Sequence, residues 1–179
     1  KIAIIGNNVP ELYFSIVAAQ GLGAIPVPMH ADSTPDELKN LLENCEAKIA
    51  VLQDQQQVDA IQQAITDLPD LAMGVYLDER GLQSYSETQF KSYTSFLEQG
   101  VSFQQQNPNF ASESIAKVSL DSEAFIVYTS GTSGKCKGAV LSHANFISTA
   151  AAFISQEEIG AHEDVFAYLP MSYASTLFR

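Results

Sequence analysis

Four short apolar runs, each separated from the next by a helix-forming segment, constrain the fold of this chain more than any other feature. They are Lys1 to Gly6, Ile25 to Pro28, Lys48 to Leu52 and Ala72 to Leu77. Each has the length of a strand and is too short to be a helix of ordinary size. Pro10 suits the first position of a helix that runs to about Leu22 and is stopped by Gly23. Thr34-Pro35-Asp36-Glu37 combines a capping box with proline at the first helical position, and the helix it opens places Leu38, Leu41, Leu42 and Cys45 on one face. A third helix aligns Val58, Ile61, Ile65 and Leu68, and the Gln-rich stretch from Gln53 to Gln63 reads as its solvated face. Strands that alternate with helices in this way join as parallel neighbours, because a parallel pair needs a crossover connection. The expectation is an α/β fold with a mainly parallel sheet flanked by helices.

The pattern weakens from Asp78 to Asp121. A helix is expected over Thr88 to Gln99 and an exposed loop over Gln104 to Asn109, with no function assigned to either. Regularity then returns. Ala124 to Thr129 reads as a buried strand, Ser142 caps a helix that reaches about Gln156, and Asp164 to Leu169 reads as a further strand ending at Pro170. The chain thus divides into βα repeats (1–77), an irregular connection (78–121) and a final stretch (122–179), with no internal repeat.

Between the strand at Ala124 and the helix at Ser142 lies Tyr128-Thr129-Ser130-Gly131-Thr132-Ser133-Gly134-Lys135-Cys136-Lys137-Gly138. A polyphosphate needs many donors, close approach of the backbone and compensating positive charge. Gly131, Gly134 and Gly138 let successive N–H groups turn inward as an anion-binding nest. Thr129, Ser130, Thr132 and Ser133 add hydroxyls that can also offer a lone pair to a metal ion, and Lys135 and Lys137 add mobile charge. No Asp or Glu occurs from Ala124 through Gln156, and these two lysines are the only charged residues there. Other glycine motifs fail by position. A Walker A loop ending at Gly134-Lys135 would need glycine at Thr129 and a hydroxyl at Cys136. The nucleophile elbow would need glycine at Lys135. Gly21-Leu22-Gly23 lacks the third glycine of a dinucleotide fingerprint, since Pro26 stands in its place.

Composition narrows the partners. With 9 basic and 21 acidic residues the net charge is −12, which opposes nucleic acid or an anionic membrane as a general partner. One local basic loop in such a field suits a small anionic ligand. A length of 179 residues with 46% hydrophobic content is enough for one domain with a core. Cys45 and Cys136 form no C-x-x-C pair or disulfide framework, so a cytoplasmic setting is expected. His30, His143 and His162 match no metal-ligand spacing. No secretory leader opens the chain, Lys1 begins inside an apparent strand, and the true N-terminus is expected to lie upstream. The apolar stretches are too short to span a bilayer, and peripheral membrane contact stays open.

Tyr128 to Val140 resembles the phosphate-loop signature of the adenylate-forming enzymes, the superfamily of acyl-CoA synthetases, luciferases and peptide-synthetase adenylation domains. The family pattern, roughly [YF]-T-S-G-T-[TS]-G-x-P-K-G, is matched except at Cys136, where proline is usual. Losing that proline frees the backbone φ at this point. The resemblance extends to Ile2 through Glu11, to Gly21 through Pro28 and to Val140 through Asn145. The stretch from Val51 through Asp59 and Asp78 to Leu82 is similar to bacterial long-chain acyl-CoA ligases. Leu169-Pro170-Met171-Ser172-Tyr173 resembles the family's next motif, in which the residue at the position of Tyr173 borders the acyl pocket.

The resemblance implies a reaction in two steps. A carboxylate attacks the α-phosphorus of ATP to give an acyl-adenylate and pyrophosphate, and the thiol of CoA then attacks the mixed anhydride. It implies that Thr129, Ser130, Gly131, Thr132, Ser133, Gly134, Lys135, Lys137 and Gly138 hold the ATP phosphates. Lys137 would neutralise the departing pyrophosphate, Thr129 would approach Mg²⁺, and Tyr173 would border the acid, most simply a fatty acid. The chain resembles the first part of the large N-terminal domain, with the C-terminal domain and the downstream motifs beyond it, so by itself it is expected to be inactive. A domain that loads an acyl or aminoacyl group onto a carrier protein, or a degenerate non-catalytic nucleotide-binding or scaffold relative, are the alternatives.

Overall fold

The computed structural model of the chain describes residues 1–86, 88–129, 136–157, 159–160, 162, 164 and 166–173. The first three expected βα units form as read. Strands β1 (Ile2–Ile5), β2 (Pro26–Met29), β3 (Ile49–Leu52) and β4 (Met73–Tyr76) alternate with helices α1 (Pro10–Gly21), α2 (Pro35–Cys45) and α3 (Gln55–Ala64). A fifth strand, β5 (Phe90–Ser92), completes a parallel sheet in the order β2-β1-β3-β4-β5.

Strand order and crossover handedness decide which face each helix covers. The chain moves from β1 to one side to make β2, then passes back over β1 to make β3, and continues outward to β4. Right-handed crossovers therefore put α1 on one face and α2 and α3 on the other. The core divides accordingly. Ala3, Ile5, Val27, Met29, Ala50 and Leu52 pack with Leu38 and Leu42 of α2 and Val58 and Ile61 of α3. Ile4 and Val51, one residue out of phase, pack with Leu12 and Ile16 of α1.

The helix starts follow the sequence signals. Thr34 Oγ1 accepts from the Glu37 amide at 3.3 Å while the Glu37 carboxylate accepts from the Thr34 amide at 2.9 Å, a reciprocal cap worth about 1 kcal/mol. The Thr34 amide first, and then the Thr34 hydroxyl, which donates to Glu37 Oε2 at 3.1 Å, hold the Glu37 carboxyl below the usual carboxylate range. Asp54 and Gln57 form a second box at the start of α3. Here the solvated-face reading needs correction: Gln57 is buried, since its Oε1 accepts from the Asp54 amide at 3.0 Å and its Nε2 donates to the Ala31 carbonyl at 3.1 Å. An amide satisfied at both ends can be buried at little cost. The third helix is also shorter than its apolar face suggested. Ile65–Asp67 is a 3₁₀ turn, which still delivers Leu68 to the core.

Two further expectations change. Thr88 to Gln99 is not one helix: Phe90–Ser92 extends beside β4, with Phe90 opposite Gly74, and α4 (Tyr93–Gln106) begins only at Tyr93. Ser92 Oγ accepts from the Ser95 amide at 3.2 Å and marks the switch. Gln104 to Gln106 end α4 instead of forming a loop, and only the residues from Asn107 turn the chain into α5 (Phe110–Ile115), where Phe103 meets Phe110 edge to face at 5.0 Å.

Strands β6 (Glu123–Thr129) and β7 (Lys137–Ser142) form a separate antiparallel pair, and β6 lies against β2. Alternate residues of β6 feed both core layers: Phe125 and Val127 join Ile4 and Leu12, while Ile126 and Tyr128 face the α2 side. Gln20 of α1 donates to the Ala124 carbonyl at 3.1 Å. As expected, Ser142 caps α6 (His143–Gln156) through a reciprocal bond with Asn145.

Candidate functional site

The β6–β7 hairpin carries the ends of the glycine- and hydroxyl-rich loop. Ladder partners run from Phe125 opposite Leu141 to Tyr128 opposite Gly138 and Thr129 opposite Lys137. Side chains directly opposite on an antiparallel pair share a face. Thr129 and Lys137 are therefore neighbours at the mouth of the loop, and both are exposed. Ser130, Gly131, Thr132, Ser133, Gly134 and Lys135 lie outside the described residues. Cys136 is exposed just before β7.

Positive charge elsewhere is largely compensated. Lys39 meets Asp67 at 2.6 Å and Lys1 meets Glu46 at 3.3 Å, while Lys48 pairs with Asp70 and Arg80 with Asp78. Lys91 donates to Gln99. Among the described residues Lys137 has no carboxylate partner, so its charge is available to an anion. No group of three or more His, Cys, Asp or Glu side chains that could hold a metal ion occurs among the described residues. Thr129 offers one hydroxyl. That donor set fits Mg²⁺ only as a shared ion whose other ligands are phosphate oxygens and water, which is how this ion usually binds.

Gly138 has a steric reason. A Cβ there would come within 2.8 Å of Ile126 Cγ2 and 3.4 Å of the Tyr128 ring. Those two side chains occupy the space beside it, and the Tyr128 hydroxyl donates to Asn44 Oδ1 of α2 at 2.6 Å. Burial, followed by the nearby Cys45 and Cys136, pushes the Tyr128 phenol up to about 12 from 10.0. An unfolded chain would ionise this phenol near its ordinary value, whereas the folded one holds its proton. The stabilisation is thus complete below about pH 10 and is lost as pH rises toward 12. Burial also raises the Tyr13 phenol, and the hydrogen bond to Asp59 raises that of Tyr85, so absorbance titration is expected to show a late-ionising phenolate fraction that Tyr128→Phe diminishes by one tyrosine.

Tyr173 belongs to a second cluster, at the C-terminal end of β2. Its ring stands edge to face on His30 at 5.3 Å, and Ser172 Oγ lies 3.2 Å from His30 Nδ1. Met171, fully buried in the α1 layer, anchors the segment. Asn8, in the turn after β1, donates from Nδ2 to the carbonyls of Ala167 and Leu169, both at 2.8 Å. This overturns the strand expected from Asp164 to Leu169: none of its described residues is in a strand, and two of its carbonyls are held by a side chain instead of a ladder. His30 and Asn8 were not singled out from sequence as site residues. Both contacts join residues more than a hundred positions apart and leave no local signature.

The profile of the family described as AMP-binding enzyme matches residues 1–178. The chain belongs to the AMP-binding enzyme family. It is 31% identical over 179 residues to the long-chain-fatty-acid–CoA ligase ACSBG1 of Rattus norvegicus, covering 97% of this chain and 24% of that protein. Among solved structures, ATP-bound MatB from Rhodopseudomonas palustris superposes with a TM-score of 0.68 at 22% identity, covering 99% of this chain and 31% of that one. A putative long-chain-fatty-acid CoA ligase from the same organism gives 0.72 at 16% identity, covering 99% and 40%. These likenesses establish the fold, a mainly parallel sheet flanked by helices as in adenylate-forming enzymes. The chain spans about a quarter of the length of the curated relative.

Proposed function

We propose that this chain is the first part of an acyl-CoA synthetase that activates a fatty acid with ATP, and that its hairpin loop holds the ATP phosphates. The observation that carries this reading is the pairing of Thr129 with Lys137 across the mouth of a glycine-rich loop, in a chain whose other cations mostly face carboxylates. Family membership supplies the reaction class, and the rat relative's description as a long-chain-fatty-acid–CoA ligase supplies the substrate class.

On this reading the fatty-acid carboxylate attacks the α-phosphorus of ATP, the bond to the β-phosphate bridging oxygen breaks, and pyrophosphate departs with its electron pair. The thiol of CoA then displaces AMP to give the thioester. The chain's own contribution is positioning and charge. Ser130, Gly131, Thr132, Ser133, Gly134 and Lys135 cradle the β- and γ-phosphates, Gly138 leaves the hairpin tightly packed, and Lys137 offsets the charge that develops on the leaving pyrophosphate. Bound Mg²⁺ would supply further charge neutralisation on the phosphates, with Thr129 as its protein oxygen. Tyr173, set by His30, borders the acid. No general acid or base from this chain is required.

The working compartment is proposed to be the cytoplasm, with contact at a membrane surface left open; no helix among the described residues is long and apolar enough to cross a membrane. Hydroxamate trapping of the acyl-adenylate by the full-length protein, run across carboxylic acids of increasing chain length, tests the proposal. ATP-dependent hydroxamate with long-chain acids is the expected result, followed by thioester formation on adding CoA. Failure with every acid would remove the activity, and transfer only to a carrier protein would replace the acceptor. The 179-residue chain alone is expected to give no acid-dependent ATP–pyrophosphate exchange.

A further inference from the structure

We propose that the hydrogen bond from Tyr128 to Asn44 is a tether that fixes the entry of the phosphate loop to α2, making both side chains positioning residues for ATP. The inference rests on the reading of this loop as the ATP site.

Three observations meet at Tyr128. Its backbone is the last ladder position before Thr129, and it pairs with Gly138, so its placement sets both ends of the loop. Its ring is half-buried against the α2-side core, and with Ile126 it occupies the space beside Gly138. Its hydroxyl reaches across 84 positions of sequence to Asn44 Oδ1 at 2.6 Å, and also lies 3.5 Å from the Leu41 carbonyl.

The acceptor sits on a rigid support. Helix α2 is fixed at its start by the Thr34–Glu37 box and along its length by buried Leu38, Leu42 and Cys45. Asn44 itself is exposed, so burial gives no reason for its contact with the phenol. Phenylalanine could fill the space of the Tyr128 ring equally well. What the hydroxyl adds is direction, since it holds the ring in one position over Gly138 and so holds the strand that leads into the loop. Groups that bind through many weak donors depend on such second-layer support.

The test uses the full-length protein and three variants: Tyr128→Phe, Asn44→Ala and the double substitution. Direct ATP binding is measured without acid, and KM is measured separately for ATP and for the fatty acid in pyrophosphate release. Each single substitution is expected to weaken ATP binding roughly three- to tenfold, the worth of one hydrogen bond, with the KM for the acid within about twofold. The double variant is expected to match the worse single one, because both remove the same bond. ATP binding by Tyr128→Phe within about twofold of the original overturns the tether, as do losses that multiply in the double variant, or an equal weakening toward the acid. A protein that binds ATP but traps no hydroxamate would defeat the proposed activity while the ATP arm still decides the tether. A protein that binds no ATP would defeat both.

Discussion

Lys137→Ala in the full-length protein is expected to slow acid-dependent pyrophosphate release by roughly 10²- to 10³-fold, the scale set by losing one preorganised charge or donor at a developing anion. The lysine is exposed and, among the described residues, has no carboxylate partner, so its removal takes nothing from the folded core. The unfolding midpoint should therefore stay nearly fixed while turnover collapses. Lys137→Arg should recover only part of the rate, because a planar fork does not reproduce a compact ammonium at the same place. If the rate falls while KM for ATP is unchanged, the charge acts in the transition state. If KM rises with kcat unchanged, it acts on bound ATP alike in ground and transition states. Unchanged kcat together with unchanged KM for ATP would take the hairpin mouth out of the mechanism.

Phe90→Ala is expected to destabilise the fold by about 3–5 kcal/mol, the usual cost of truncating a buried aromatic ring. Phe90 is 2% exposed and lies directly over Gly74 of the neighbouring strand, where an added Cβ would come within 2.5 Å of its ring. Tyr85 meets it edge to face at 6.3 Å and is itself held by a hydrogen bond to Asp59 of α3. Removing the ring leaves glycine on one side and an unsupported tyrosine on the other, so the cavity has little with which to collapse. Urea unfolding of the 179-residue chain, followed by circular dichroism, gives the loss. Phe90→Leu should cost much less, and a loss below about 1 kcal/mol for Phe90→Ala would contradict the packing described.

Gly74 and Phe90 also show why β5 was hard to read. Three residues are too few to display a period, and glycine in β4 makes sense only once its large neighbour is known. Gln57 misled for a related reason. A glutamine beside other glutamines looks solvated until its amide is seen to bridge the Asp54 and Ala31 backbones. By contrast, β1 to β4 and the helices between them were legible, because each is bounded by a proline, a cap or a glycine within a few residues. The same holds for Ser142 and α6. At the candidate site the strand β6 could be read from its apolar run, and the phosphate-binding character expected of the loop after it from glycine, hydroxyl and lysine content; the antiparallel pairing of β7 with β6 could not. The contacts Tyr128–Asn44, His30–Tyr173 and Asn8–Leu169 could not.

The linear order of apolar runs, caps and turn residues determined by itself that this chain alternates strand and helix, that its sheet is parallel and that a cationic, donor-rich loop follows a buried strand. Local hydrogen bonding and side-chain period act over a few residues, so a single sequence displays them. Only the tertiary structure decided that β1 sits between β2 and β3, that β6 shares its side chains between two core layers, and that Tyr128 is bonded to α2. Those outcomes depend on contacts between separate elements, from Ile2 beside Pro26 and Ile49 to Tyr128 with Asn44, 84 positions away, and Gln20 with the Ala124 carbonyl, 104 positions away; their partners are selected by packing and crossover handedness and have no trace in the spacing of neighbours.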